Sequence, residues 1–275
     1  VSEGKVQMGH SASFYWKGKV PAAQFFSSIP FGLNAQQMNA WLYHGGGMEL
    51  WQEVYQPFGI IPMAGGNTGM QMGGWFDKTV NSIDDLNGLK MRLPGIGGEV
   101  LKQVGGVPVG GLAGRELYGA LKNGAIDAAE WVGPYNDLPL GLYQVAQYYY
   151  YPGWHSPGAN MEFIINQQAF FALPDDLQQI IITAARAVNQ DMLDDYTQGH
   201  IEALNTLINE HNVQLKRFPN EVIKQLKSTR DAVLFAEAEK DPMFKKVLQA
   251  YLENEQQVQR YFQYTEHALA QMTSS

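Results

Sequence analysis

The composition of this 275-residue chain, with 45% hydrophobic and 17% charged residues, predicts a folded protein with one or two hydrophobic cores. Its 27 acidic and 19 basic side chains give a formal net charge of −8, which argues against a general phosphate-binding surface and against nucleic acid as a partner. No run approaches the roughly 20 apolar residues that a membrane helix needs, and the lack of cysteine excludes disulfides and thiolate metal sites.

The first residues of the chain repeat a pattern that is found further along. Residues 120–129 (ALKNGAIDAA) have the pattern of a helix end, a glycine stop and a strand, and residues 1–9 (VSEGKVQMG) repeat it. The helix that should precede Gly4 is absent. We therefore expect that N-terminal elements are missing, and that a longer chain would be more stable because a sheet edge would be paired.

The segment from Lys5 to about Met161 has the pattern of an α/β protein, because short apolar runs alternate with short helical patterns and glycines. Strands are predicted at 90–93 and 107–109, on either side of a helix at about 98–104. Ser82 and Asp85 have the spacing of a capping box, which predicts one helical turn before the first of these strands.

The chain after Phe170 changes to long amphipathic helices, one from near Pro174 toward Asn212 and more from Asn220 to Met272. No Pro/Ser-rich linker divides the chain, so two lobes must share several crossings. This is the plan of a hinged binding protein. We expect one lobe, N-terminally truncated, at 1–68 plus 132–163, a second at 69–131 plus 164–219, and C-terminal helices at 220–275.

Enzyme and nucleotide motifs receive little support. The chain has no Walker loop, no HExxH and no dinucleotide fingerprint. Residues 9–13 (GHSAS) resemble a nucleophile elbow, but Ser13 stands where the sharp turn needs glycine. The six histidines have no spacing typical of metal ligands.

Two features indicate a ligand that carries a carboxylate. Arg92 ends a short strand directly before Leu93 and Pro94, and its planar guanidinium is suited to a carboxylate. A salt bridge with one of the protein's own acids is the alternative. The glycine-rich segment 65–75 suits a backbone that lies close to a ligand, or else an ordinary mobile loop.

Glu130 stands at the end of an apolar strand, directly before the large aromatic Trp131, and Glu162 is a lone acid inside an otherwise apolar run. A carboxylate is costly to bury unless it meets a cation, a proton or a metal. The two acids suggest a shared hard cation with oxygen ligands, although each can instead pair with a buried Arg or Lys. The aromatic run 148–154 predicts a packed strand and a turn at Pro152, and stacking on a ligand is the alternative.

At these residues the sequence resembles a known family, the extracytoplasmic solute receptors of tripartite ATP-independent periplasmic (TRAP) transporters, and within it the subgroup that binds 2-oxo acids. The matching stretches cover the chain in family order: 9–19 (GHSASFYWKGK), 31–47 (FGLNAQQMNAWLYHGGG), 66–76 (GNTGMQMGGWF), 89–101 (LKMRLPGIGGEVL), 126–135 (IDAAEWVGPY) and 148–158 (YYYYPGWHSPG).

The resemblance implies an α/β, two-lobed fold of the periplasmic-binding-protein type II, which closes on a carboxylate held between its lobes. Arg92 matches the arginine that pairs with the ligand carboxylate. The positions that match the family's metal ligands are Gln71, Glu130, the backbone of Trp131 and Glu162. Tyr15 and Asn67 match positions that orient the ligand. Oxygen ligands indicate Na⁺ or Ca²⁺.

The resemblance also implies a function and partners. We expect a periplasmic receptor that captures a 2-oxo or 2-hydroxy monocarboxylate, such as pyruvate, for the membrane subunits of a TRAP transporter. The C-terminal helix, here 243–272, can be exchanged between two subunits of a homodimer or fold back on its own chain. Family members carry a further strand, helix and strand at the N-terminus.

An enzyme is the alternative, namely a metal-dependent lyase or hydratase acting on 2-oxo acids. It would need a general base beside the metal, and no His or Lys in the pocket motifs is clearly placed for proton transfer apart from His10 and His155.

Overall fold

The structure, a computed structural model, describes residues 1–273 and contains two β-sheets surrounded by helices. The strands are β1 Met8–Ser11, β2 Ile60–Asn67, β3 Gly74–Phe76, β4 Lys90–Arg92, β5 Val107–Val109, β6 Ala128–Ala129, β7 Tyr148–Tyr151, β8 Asn160–Asn166 and β9 Gln214–Arg217. The α-helices are α1 Ala35–His44, α2 Gly47–Tyr55, α3 Gly95–Gln103, α4 Gly114–Lys122, α5 Pro134–Asp137, α6 Gln167–Phe171, α7 Asp175–Asn209, α8 Asn220–Ala238, α9 Pro242–Tyr264 and α10 Glu266–Thr273. Short 3₁₀ turns, including Ser13–Trp16, Pro21–Phe26 and Ile83–Leu86, connect them.

The first sheet has three antiparallel strands in the order β1-β8-β2. The core beside it contains Phe26, whose ring stacks on Trp41 at 5.7 Å and on Trp51 at 5.1 Å between centroids. All three side chains are fully buried. Because each large aromatic ring removes much apolar surface from water, this stack anchors α1 and α2 in the first lobe.

The second sheet has six strands in the order β5-β4-β6-β3-β7-β9. Strand β4 runs parallel to β5 and β6, and Arg92 is the register partner of Ala129. The carboxyl ends of β4 and β6 therefore emerge side by side, at the edge where open α/β sheets bind ligands. Trp75 in β3 stacks on Tyr149 in β7 with ring centroids 4.0 Å apart, which stabilises the centre of this sheet.

The strand pairing corrects the predicted lobe boundaries at two places. We expected 132–163 in the first lobe, but β7 within that range pairs with β3 and β9 of the second sheet. Strand β8, which the predicted boundary divided, pairs along its length with β1 and β2. The aromatic run 148–151 predicts a strand, but local sequence carries no information about which sheet supplies its neighbours.

The chain crosses between the sheets at residues 68–73 and 152–159, the two crossing segments. They hydrogen-bond to each other, because Thr68 N donates to Ala159 O (3.0 Å) and Gln71 N donates to Ser156 O (3.1 Å). Helix α7 packs on β2 and on α5. Helix α8 packs on α3, and α9 packs on the 3₁₀ turn at 21–26. Several connections thus join the lobes, as a hinged fold requires.

The predicted elements around the second sheet are confirmed. Strands β4 and β5 flank α3, which begins at Gly95, three residues before the expected start. The capping box at the Ile83–Leu86 turn is present, with Ser82 N donating to Asp85 Oδ2 at 3.0 Å. Among residues 1–273, no helix is long and apolar enough to span a membrane.

Candidate ligand-binding site

A cavity of about 230 Å³ lies between the two lobes, next to the crossing segments. Five of the predicted site residues line it: Tyr15, Gln71, Arg92, Glu130 and Trp131. Tyr15 comes from the 3₁₀ turn after β1, Gln71 from the first crossing segment, and the other three from the ends of β4 and β6. The cavity is therefore built from both lobes and from the segments that join them.

Arg92 and Glu130 form a buried ion pair at the base of the cavity. Arg92 Nη1 donates to Glu130 Oε2 at 2.7 Å and to the Glu130 carbonyl oxygen at 2.9 Å, and both residues are 5% exposed or less. The adjacent ends of β4 and β6 place them together. Within residues 1–273 the hydrogen bonds of this guanidinium all leave from Nη1. Both sequence interpretations of Arg92 are compatible with this geometry, because Nη2 and Nε remain for a second carboxylate.

Gln71, Glu130 and His155 converge at one point of the cavity. His155 Nε2 lies 3.2 Å from Gln71 Oε1 and 3.6 Å from Glu130 Oε1. Gln71 Nε2 donates to Thr68 Oγ1 at 3.4 Å, which turns the amide oxygen toward His155. An amide oxygen and a carboxylate oxygen therefore face the same small region, an arrangement suited to a hard cation.

Trp131 contributes its ring and its backbone. The Arg92 guanidinium lies 4.9 Å from the centroid of the Trp131 ring, a cation–π contact that holds the arginine in place. No donor in the described part of the chain reaches the carbonyl oxygen of Trp131. The same range contains no group of three or more His, Cys, Asp or Glu side chains able to hold a metal. A cation here would therefore need backbone and amide oxygens beside Glu130.

Asn67, predicted to orient a ligand, does not line the cavity. It is fully buried at the end of β2, and its Oδ1 accepts a hydrogen bond from Gly69 N at 2.9 Å. This bond holds the start of the first crossing segment, and the next residue, Thr68, is the one that reaches the cavity. Tyr15, by contrast, lies at the mouth of the cavity with 53% of its surface exposed.

Glu162 is separated from the cavity, contrary to the cation-sharing arrangement that the two lone acids suggested. It is fully buried in β8, and its carboxylate accepts hydrogen bonds from Trp16 Nε1 (2.5 Å) and Tyr55 OH (2.7 Å). Burial raises the pKa of this carboxyl, and the two hydrogen bonds oppose that effect. The physical reason is position: Glu162 lies mid-strand, paired with Ser11 and Ala64, inside the first lobe.

Several cavity residues were not assigned to the site from the sequence. Within the cavity lining, four buried polar atoms have no hydrogen-bond partner: Ser28 Oγ, Asn136 Oδ1, His155 Nδ1 and Ser156 Oγ. Such atoms cost about 1–3 kcal/mol each when unsatisfied, which is typical of a site that completes its bonds with a ligand. His155 and Ser156 lie in the matching stretch 148–158. Met192 and Tyr196 also line the cavity, but they come from α7, where the helical pattern carried no such signal.

His10 lies outside the cavity, with Nε2 3.0 Å from the Gly65 carbonyl oxygen. Of the two histidines that the lyase alternative required, His155 alone is beside the converging oxygens.

Two α/β lobes, joined by crossing segments around a cavity with a buried arginine, define a solute-binding protein of the periplasmic type. A family model described as bacterial extracellular solute-binding protein, family 7 (DctP), matches residues 1–241. The chain belongs to this family, the solute receptors of TRAP transporters. The predicted family, two-lobed fold and receptor function are confirmed, and the family and its relatives are binding proteins rather than enzymes.

Similar proteins include one from Nostoc sp. named as a monocarboxylate 2-oxoacid-binding periplasmic protein. It is 45% identical over 251 residues, which are 91% of this chain and 68% of the relative. A TRAP periplasmic solute-binding protein from Colwellia psychrerythraea, crystallised with calcium and pyruvate, is 44% identical with a TM-score of 0.95. Another from Pseudoalteromonas atlantica, with sodium and pyruvate, is 43% identical with a TM-score of 0.94. Each alignment covers 98% of this chain and 82% of the crystallised one.

Proposed function

We propose that this receptor captures a small 2-oxo or 2-hydroxy monocarboxylate, such as pyruvate, with a Na⁺ or Ca²⁺ ion bridging ligand and protein. The observation that carries the proposal is the Arg92–Glu130 pair with Gln71 beside it in the inter-lobe cavity. Relatives at 43–44% identity with bound pyruvate and calcium or sodium support the same chemistry.

Arg92 is the proposed anchor of the ligand carboxylate. Among the residues that line the cavity, it is the single Lys or Arg side chain. Its Nη2 and Nε can donate to a carboxylate while Nη1 holds Glu130. A second carboxylate on the ligand would face no further guanidinium or ammonium group, so the charge of the cavity favours monocarboxylates over dicarboxylates. Tyr15, at the mouth, is proposed to orient the ligand.

The proposed cation ligands are Gln71 Oε1, Glu130 Oε1 and the carbonyl oxygen of Trp131. All three are hard oxygen donors, which suits Ca²⁺ or Na⁺ better than zinc. A bound cation would supply positive charge between these oxygens and the oxygens of the ligand. Glu162 is left out of the set, because Trp16 and Tyr55 already satisfy its carboxylate. Asn67 is proposed to act on the first crossing segment instead of the ligand.

Ligand capture is proposed to close the lobes, because Tyr15 of the first lobe and Arg92 of the second line the same cavity. A ligand that contacts both lobes binds the closed form more tightly and shifts the population toward it. The closed receptor would then deliver its ligand in the periplasm to the membrane subunits of a TRAP transporter, the partners expected for this family.

A homodimer through the C-terminal helices is a further proposal. Helices α9 and α10 expose large apolar side chains, each more than 60% accessible: Tyr261, Tyr264, Leu269 and Met272. Exposed apolar surface of this kind is typical of an interface. Sedimentation that shows monomers at every protein concentration would contradict a dimer.

Calorimetry in sodium-free buffer tests the proposed function. Pyruvate should bind in the presence of calcium, and its affinity should fall at least about tenfold when a chelator removes the ion, because Glu130 would then face the ligand carboxylate without a cation between them. A dicarboxylate of similar size is titrated as the control, and it should bind more weakly than pyruvate. Unchanged pyruvate affinity after removal of both calcium and sodium would refute the metal bridge.

A further inference from the structure

The N–H group of the peptide between Trp131 and Val132 is hydrogen-bonded to a buried carboxylate. Val132 N donates to Asp137 Oδ1 at 3.2 Å. This peptide is trans, since the sole cis bond recorded in residues 1–273 precedes Pro152. In a trans peptide the N–H and C=O groups point in opposite directions. The bond to Asp137 therefore turns the Trp131 carbonyl oxygen, which has no hydrogen-bond donor in that range, away from Asp137.

Asp137 is itself fixed in position. It is 1% exposed at the end of α5, and its Oδ2 accepts hydrogen bonds from Trp75 Nε1 (2.9 Å) and Tyr149 OH (2.8 Å). These two donors stack on each other in β3 and β7, in the middle of the second sheet. Burial raises the pKa of Asp137 to about 6, while the three donors act in the opposite direction. The carboxylate is thus a rigid acceptor fixed in the core of the second lobe.

We propose that Asp137 is a positioning residue, which orients the Trp131 carbonyl oxygen toward the bound cation without touching the cation or the ligand. The inference rests on the proposed metal-bridged function. Its physical basis is preorganisation: because the carbonyl is already turned toward the metal position, the peptide does not have to rotate when the metal binds. Groups that orient metal ligands from outside the coordination sphere typically change metal affinity by 10- to 100-fold when they are replaced.

The matched substitutions are Asp137→Asn and Tyr149→Phe. Asparagine keeps the size of the side chain but offers one acceptor oxygen to three donors, so its amide group opposes one of them. Tyr149→Phe removes a hydrogen bond from the same carboxylate and leaves the bond from Val132 intact. Calcium is titrated calorimetrically into each protein with excess pyruvate in sodium-free buffer. Asp137→Asn should bind calcium at least about tenfold more weakly, and Tyr149→Phe within about threefold of the wild type.

Raised calcium should restore pyruvate binding to Asp137→Asn, a rescue that a purely structural role would not produce. Equal calcium affinity in wild type and Asp137→Asn overturns the inference while leaving the metal-bridged function intact. If the pyruvate affinity of the wild type does not depend on calcium or sodium, both the inference and the metal-bridged function are overturned. The wild-type titration alone identifies that case.

A spectroscopic measurement on the wild type covers the case in which Asp137→Asn does not fold. The sequence contains a single Trp-Val dipeptide, Trp131-Val132. Labelling Trp carbonyl carbons with ¹³C and Val nitrogens with ¹⁵N therefore gives one carbonyl–nitrogen cross peak. Adding calcium and pyruvate should shift this carbonyl resonance. Before calcium is added, the Val132 amide proton should already have a chemical shift typical of a charge-assisted hydrogen bond. An unshifted carbonyl, or a Val132 amide that exchanges freely with solvent, overturns the inference.

Discussion

Glu130 and Glu162 look alike in sequence, but the structure gives them different surroundings. Each is a lone acid at the end of or inside an apolar run, and each is buried, with 3% and 0% exposure. Glu130 follows the end of β6, pairs with Arg92 and lines the inter-lobe cavity. Glu162 lies in the middle strand of the first sheet and contacts the neutral donors of Trp16 and Tyr55.

Burial of an acid therefore does not by itself indicate a ligand site. At the carboxyl end of a strand, a side chain can reach the space between lobes, where a cation and a ligand have access. In mid-strand, both neighbouring strands enclose it. There the low-dielectric surroundings raise the pKa of Glu162, and hydrogen bonds from two side chains replace water. Substitutions in both regions test this contrast.

The largest effect is expected for Arg92→Lys. Lysine keeps the charge but cannot hold Glu130 and a ligand carboxylate through one planar fork. Loss of a charge-assisted, bidentate interaction worth on the order of 1.5–3 kcal/mol predicts roughly a ten- to hundredfold weaker affinity for pyruvate. Isothermal titration calorimetry measures it. The thermal shift that pyruvate induces should largely disappear in the same variant.

A matched control for this variant is Arg230→Lys, which alters another buried arginine. Arg230 forms an ion pair with Glu255 at 2.8 Å and does not line the cavity. It should lower the apo melting temperature and leave pyruvate affinity intact. If Arg92→Lys behaved in the same way, Arg92 would be a structural ion pair and the proposed anion site would be misplaced.

The next effect compares the two glutamates directly. Glu130→Gln removes the charge that the proposed cation needs, and we expect calcium-dependent pyruvate affinity to fall about tenfold or more. Glu162→Gln should leave that affinity within about threefold of the wild type and alter only stability, by about 1 kcal/mol. Calorimetry and urea unfolding on both variants give the two quantities. Similar affinity losses in both would mean that Glu162 belongs to the site after all.

The smallest effect is a pH dependence of stability. Burial in the folded state holds the pKa of Glu162 above its ordinary value of 4.5. At pH values between 4.5 and this raised pKa, the folded protein therefore binds more protons than the unfolded one. The wild type should therefore gain stability relative to Glu162→Gln as the pH falls from 7 toward 4.5, and lose that gain as the pH rises through the folded-state pKa. Urea unfolding of both proteins at several pH values measures the difference, and the opposite slope would contradict it.

Much of this protein could be determined from the sequence alone, because the signals are local or belong to recognisable stretches. Glycine and apolar spacing predicted β4, α3 and β5, and the Ser82–Asp85 spacing predicted a capping box that the structure contains. Motif resemblance predicted the family and the two-lobed fold. Arg92 was singled out because a planar guanidinium at a strand end suits a carboxylate, and Glu130 because a buried carboxylate has a high desolvation cost without a partner.

The contacts between these parts depend on the tertiary structure. The register of β4 and β6 places Arg92 against Glu130, whereas the pairing of β8 with both its neighbours encloses Glu162. Strand β7 joins the second sheet rather than the first, and the crossing segments bring His155 to Gln71. Distant parts of the chain make each of these contacts. Local sequence encodes which residues must be buried or paired, but the partner of a buried group depends on long-range packing of the whole chain.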